Sequence, residues 1–144
     1  MTDIMIRKLF FTAAAVACGL LCCMSATAQE TTPDGTYMFV KRDTCDLFLD
    51  LYKPTKGSET TFEGKQKPTI IFMFGGGFTS GVRDNPRYQI WFKQMNDLGY
   101  NVISIDYRLG LKGTSKVGVA QVNVLDKAIH MAVEDLFSAT NFII

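Results

Sequence analysis

The sequence predicts an α/β fold on a mostly parallel sheet, and three observations carry that prediction. The segments "PTIIFMF" (68–74) and "YNVISIDYRL" (100–109) are apolar runs without alternation, as expected of strands buried on both faces of a parallel sheet. Helical periodicity lies between and after them. A segment of period two opens the folded part of the chain, so a hairpin precedes a strand–helix–strand–helix series. At 144 residues the chain is one domain at most.

Residues 29–35 read as a turn-like or disordered start. In "CDLFLDLY", Leu47, Leu49 and Leu51 alternate with Asp46, Phe48 and Asp50, which marks a strand with one apolar and one mixed face. With "TYMFVKR" before it, this forms an antiparallel hairpin that Pro54 ends. Residues 55–67 are polar and read as an exposed connection. After the strand at 68–74, Asn85 and Pro86 supply a cap and a first-turn proline. Tyr88, Trp91, Phe92, Met95 and Leu98 follow at helical spacing, and Gly99 ends that helix. A last helix runs from about Val119, with Leu125, Ile129, Ala132, Leu136, Ala139 and Ile143 as its apolar stripe.

The N-terminus has a different character. Arg7 and Lys8 precede an uncharged run from Leu9 to Met24, and Ala26 and Ala28 place small residues before Gln29. This is the pattern of a secretory signal peptide over 1–28. The uncharged run is shorter than the ~20 residues that span a bilayer, so no stable membrane anchor is expected after cleavage. The product is expected to be secreted or periplasmic. Removal of Asp3, Arg7 and Lys8 lowers the net charge from +1 to zero, without the basic excess that a nucleic-acid partner requires. Cys18, Cys22 and Cys23 leave with the leader. The remaining Cys45 and His130 cannot form an intrachain disulfide or fill a zinc ligand set.

The stretch "FMFGGGFTSG" (72–81) sets three glycines directly after a strand. A turn needs fewer. A dinucleotide site requires G-x-G-x-x-G with a helix starting at the glycines. Here Ser80 stands where the third glycine belongs, and the helix signal comes only at Asn85–Pro86. No cofactor is therefore expected. Beside the reading as a plain strand-to-helix turn stands an oxyanion hole, in which backbone N–H groups meet the charge of a tetrahedral intermediate. Glycines suit this role because no Cβ blocks the approach.

On "LDLYKP", "PTIIFMFGGGFTSG", "LGYNVISIDYRLG" and "AVEDLFSAT", residues 36–144 resemble the N-terminal part of an α/β-hydrolase-fold esterase or lipase of the carboxylesterase-like, triple-glycine type. The resemblance implies that Gly76 and Gly77 supply oxyanion-hole amides, Gly75 permits the turn, and Phe78 packs beside the acyl pocket. Phe74 stands where many relatives carry histidine. The resemblance also implies that "DYRL" is a structural corner, with Asp106 paired to Arg108. The implied substrate is a small-molecule or polysaccharide-linked ester.

Such an enzyme needs a serine in G-x-S-x-G, then an acid, then a histidine. "GTSKVG" around Ser115 is one residue too long and follows no strand. Ser80 lacks an elbow, and His130, with Asp126 and Glu134 at i−4 and i+4, reads as an exposed helical histidine. The expectation is thus a signal peptide (1–28) followed by an α/β-hydrolase portion (29–144) truncated before the nucleophile elbow. Alone it would be inactive, although its parent would be a serine carboxylic-ester hydrolase. The alternative is a non-catalytic secreted protein that binds or assembles through an incomplete sheet.

Overall fold

A computed structural model describes residues 31–114 and 120–144. The leader expected at 1–28 and Ser115 lie outside the described residues. The opening hairpin is present: β1 (Gly35–Lys41) pairs antiparallel with β2 (Asp46–Tyr52), with a register shift between Met38 and Val40. The polar connection is exposed as expected, and within it β3 (Thr61–Phe62) and β4 (Lys65–Gln66) form a small ribbon that the sequence alone does not anticipate. β5 (Ile70–Met73) and β6 (Val102–Ile105) flank the helix α1 (Pro86–Asp97), and α2 (Ala120–Ile143) follows. The main sheet has the order β1-β2-β6-β5, with β5 parallel and β2 antiparallel to β6.

Both ends of α1 follow from the local sequence. The Asn85 side chain accepts the Arg87 N–H at 3.0 Å, and Pro86 occupies the first turn. At the other end Gly99 has φ 86°; its N–H reaches the Asn96 carbonyl and the Tyr100 N–H reaches that of Met95. These are the two bonds of a Schellman ending.

The period of two sorts the sheet into two faces. Tyr52, Ile70, Phe72 and Val102 pack with Phe92 of α1. Leu47, Leu49, Ile71, Met73, Ile103 and Ile105 pack with Ala139 of α2. β6 is buried throughout, whereas every residue of β5 is only half-buried. Both faces of β5 are covered, as expected of 68–74, and its half-burial comes from its place at the edge of the sheet.

The stripe expected on α2 is kept in its second half, where Ala132 and Ala139 are buried and Leu136 and Ile143 pack against the core, while Leu125 and Ile129 in the first half remain 41% and 42% exposed. Alanines allow close approach. Between them the Asp135 carboxylate accepts the Arg42 Nε–H (3.1 Å), the Arg108 Nε–H (2.9 Å) and the Arg108 backbone N–H (2.9 Å). A buried, doubly paired carboxylate thus shares the core-facing side of the helix with the apolar stripe.

Candidate active site: the glycine loop after β5

The loop begins where β5 ends. Phe74 is buried, its ring stacks on Tyr107 with centroids 4.6 Å apart, and its carbonyl accepts the Tyr107 hydroxyl at 2.8 Å. Beyond this anchor Gly75, Gly76 and Gly77 are exposed. The Gly76 carbonyl accepts both the N–H and the hydroxyl of Thr79, at 3.1 and 2.8 Å. Between them Gly77 and Phe78 have φ 60° and 61°. Positive φ at both central residues of a hydrogen-bonded turn is the mark of type I′.

Sterics explain which glycines are required. A Cβ on Gly76, at φ 155°, would lie 1.7 Å from the Ser80 carbonyl oxygen. A Cβ on Gly81 would lie 2.4 Å from the Phe74 ring. Gly75 has neither restriction, so its side-chain position is open. Phe78 adopts the left-handed region without being glycine, which costs roughly 1–2 kcal/mol. Its ring edge meets Tyr107 (6.1 Å) and its carbonyl accepts the Leu111 N–H (2.9 Å). Among the described residues, the amides of Gly76 and Gly77 donate to no internal acceptor. Two unbonded N–H groups on exposed backbone at the carboxyl end of a strand are available to an external anion or oxyanion.

The return from the loop is held by charge. Arg83 places Nε 2.9 Å from Asp50 and Nη1 2.8 Å from Asp106. The Asp106–Arg108 pair implied by the resemblance is therefore corrected. Asp106 continues the face of β6 that carries Val102 and Ser104, where Arg83 sits. The chain leaves the sheet after Asp106, and Arg108 turns to α2, where Asp135 and Glu134 receive it. Burial pushes the Asp106 carboxyl up against the opposing pull of Arg83. The Asp135 hydrogen bond, joined by Glu134, raises the Arg108 guanidinium further above its ordinary value.

A cavity of about 470 Å³ opens beside this hub, with Cys45, Phe74, Asp106, Arg108 and Lys112 in its walls. The other candidates from the sequence lie apart. Ser80 is exposed, and among the described residues it shares no hydrogen bond with His130. The His130 ring is 76% exposed, with Nδ1 2.8 Å from the Asp126 carbonyl of its own helix. Sequence reasoning missed Tyr107, Arg83 and Asp50. The alternation that puts Asp50 and Asp106 on one face was the available signal for the last two.

Comparison with known proteins agrees with this architecture. The apo form of Thermogutta terrifontis esterase 2 superposes with a TM-score of 0.54 at 24% identity, over 79% of this chain and 36% of that one. The propionate-bound form of the same esterase gives 0.52 at 25% identity, over 76% and 34%. The chain thus spans about a third of its structural neighbour and carries part of an α/β-hydrolase fold. The non-reducing polyketide synthase ausA of Emericella nidulans is 29% identical over 112 residues, 78% of this chain and 4% of that protein. The non-reducing polyketide synthase trt4 of Aspergillus terreus is 29% identical over 90 residues, 62% of this chain and 4% of that one. The BD-FAE family model matches residues 49–135, from the middle of β2 through the glycine loop to the buried Asp135. With more than half of its length in that match, on an esterase-like sheet, this chain belongs to the BD-FAE family, a family of the α/β-hydrolase type.

Proposed function

We propose that residues 29–144 are the oxyanion-loop portion of a secreted or periplasmic serine carboxylic-ester hydrolase, exported by a signal peptide at 1–28. The observation that carries the reading is the glycine loop, where the Gly76 and Gly77 amides lack internal partners at the end of β5. In the proposed reaction a serine hydroxyl, supplied by neither Ser80 nor Ser115, attacks the ester carbonyl. The carbonyl oxygen takes the negative charge onto the two amides, and the alcohol leaves with a proton. Water then cleaves the acyl-serine and releases the acid. Phe78 lines the acyl side. The substrate class is a small-molecule ester, supported by esterase 2 binding propionate; a polysaccharide-linked ester is the second class.

The test is hydrolysis of p-nitrophenyl acetate by the full-length protein, with a fluorophosphonate as serine reagent. Turnover that the reagent abolishes, and that survives Ser80→Ala and Ser115→Ala, supports the reading. Turnover lost in either variant refutes the assignment of the nucleophile. For export, mass analysis of secreted protein is expected to find Gln29 at the N-terminus; an intact Met1 or Met5 on membrane-bound protein contradicts it. The non-catalytic alternative draws on one observation, the open half-buried edge at β5. It becomes the better reading if the full-length protein hydrolyses no ester.

A further inference from the structure

The glycine loop leaves the sheet at Phe74 and is tied down again at Arg83, and the second tie is the more elaborate. The Arg83 guanidinium bridges two carboxylates from different parts of the sheet, Asp50 within β2 and Asp106 just beyond β6. Asp50 is 1% exposed and is itself bonded by the Thr36 hydroxyl at 2.6 Å. Asp106 accepts the Phe48 N–H at 3.2 Å and returns its own N–H to the Phe48 carbonyl at 2.8 Å. The guanidinium also lies over the Phe48 ring, 5.7 Å from its centroid. The Arg83 carbonyl accepts the Ser104 hydroxyl of β6 at 2.8 Å. One residue thus binds two strands of the sheet through both its main chain and its side chain.

A loop that ends in an exposed arginine gains little from one ion pair. Here the pair is sheltered: Nη1 donates to Asp106 at 2.8 Å and Nε stands 2.9 Å from Asp50 as an ion pair without hydrogen-bond alignment, a double reach that a planar guanidinium supplies and an ammonium does not. Between the anchors, Gly76 and Gly81 fit against Ser80 and Phe74 without room for a Cβ. Gly76 and Gly77 have no internal hydrogen bond to hold their amides in direction. Their orientation therefore depends on the turn, which is held at Phe78 by Leu111 and Tyr107 and at its two ends by Phe74 and Arg83. Stabilisation of an oxyanion requires donors fixed before charge develops.

We propose that Arg83 is a positioning residue for the glycine loop: its bridge to Asp50 and Asp106 fixes the direction of the Gly76 and Gly77 amides. The proposal deepens the ester-hydrolase reading and rests on it for its kinetic consequence. Its structural consequence stands independently. Arg83 touches no substrate in this account and acts through the loop.

The experiment compares full-length wild type with Arg83→Gln and Arg83→Lys. Lysine keeps a cation between the carboxylates and protects the fold, but it cannot bridge both with a fork. The first readout is 15N relaxation at Gly76 and Gly77. Both variants should fall from an order parameter of about 0.85 to below about 0.6, while β2 and β6 keep theirs. The second readout is p-nitrophenyl acetate kinetics. Both variants should lose roughly tenfold in kcat, with KM within about twofold, as when an interaction made only in the transition state weakens. Wild-type order parameters and kcat in Arg83→Lys overturn the proposal. Loss of order spread equally over β2, β6 and the loop overturns it too, since Arg83 then only stabilises the fold. A wild-type protein without esterase activity defeats the ester reading alone, and the relaxation arm still decides the role of Arg83.

Discussion

Asp135 is the residue whose removal tests the packing account most severely. Its side chain is fully buried, yet it stands in the row of α2 that faces the sheet. Arg42 reaches it from the end of β1 and Arg108 from beyond β6, with N–O distances of 2.9–3.1 Å. In Asp135→Ala both guanidiniums lose their shared partner, and the Arg108 backbone N–H loses its acceptor. Breaking a buried pair by removing one partner costs about 3–5 kcal/mol. Arg42 and Arg108 are 19% and 16% exposed at the side chain, so water relieves part of the cost. The expected loss is therefore about 3 kcal/mol, the low end of that range. For a domain of this size that corresponds to roughly 10–20 °C in melting temperature. Urea titration followed by circular dichroism reads the free energy, with the m-value as a check on two-state behaviour. The triple replacement Arg42→Met, Asp135→Leu, Arg108→Met should recover most of the loss, because apolar groups of similar size leave no charge unpaired. A loss below about 1 kcal/mol in Asp135→Ala, or a triple replacement as unstable as the single one, refutes the reasoning.

Two further perturbations follow from single residues. Tyr52 is 1% exposed and its hydroxyl has no partner among the described residues. Burial first, then Asp50 and Asp84, push it up to about 12 from an ordinary 10.0. A raised folded-state value means that stability is complete below pH 10.0 and is lost as pH rises through about 12. Tyr52→Phe keeps the ring contact with Phe92 and should remove that alkaline loss, as denaturant titrations on either side of the window would show. Gly99→Ala should cost at least about 1 kcal/mol, because φ is 86° and a Cβ would lie 1.8 Å from the Glu59 carbonyl oxygen. An unchanged urea midpoint would contradict the Schellman ending of α1.

Much of this fold is legible in the sequence because local rules and global packing agree. The alternation of Leu47, Leu49 and Leu51, the Asn85–Pro86 start and the Gly99 stop each state a local preference that the tertiary structure keeps. The departures are local. Leu125 and Ile129 have the right spacing for a core stripe but stay 41% and 42% exposed in the first half of α2, whereas Ala132, Leu136, Ala139 and Ile143 reach the core. Asp106 and Arg108 are close in sequence and diverge because the chain leaves the sheet between them. The glycine loop was legible as a backbone device, since three adjacent glycines have few other uses. Its anchors were not. The Tyr107 bond to the Phe74 carbonyl and the Arg83 bridge join residues 33 and 23 or more positions apart, and no local pattern announces such pairs.

The central claim is that the Gly76 and Gly77 amides hold the oxyanion of an ester substrate. The most direct measurement is the initial rate of p-nitrophenyl propionate hydrolysis by the full-length protein and by Gly76→Pro, which removes one N–H and cannot adopt φ 155°. The account predicts ester turnover in the wild type and a loss of roughly a hundredfold or more in kcat for the variant, at comparable helix content by circular dichroism. A variant within about threefold of a working wild type, well short of the loss of one donor, would contradict it.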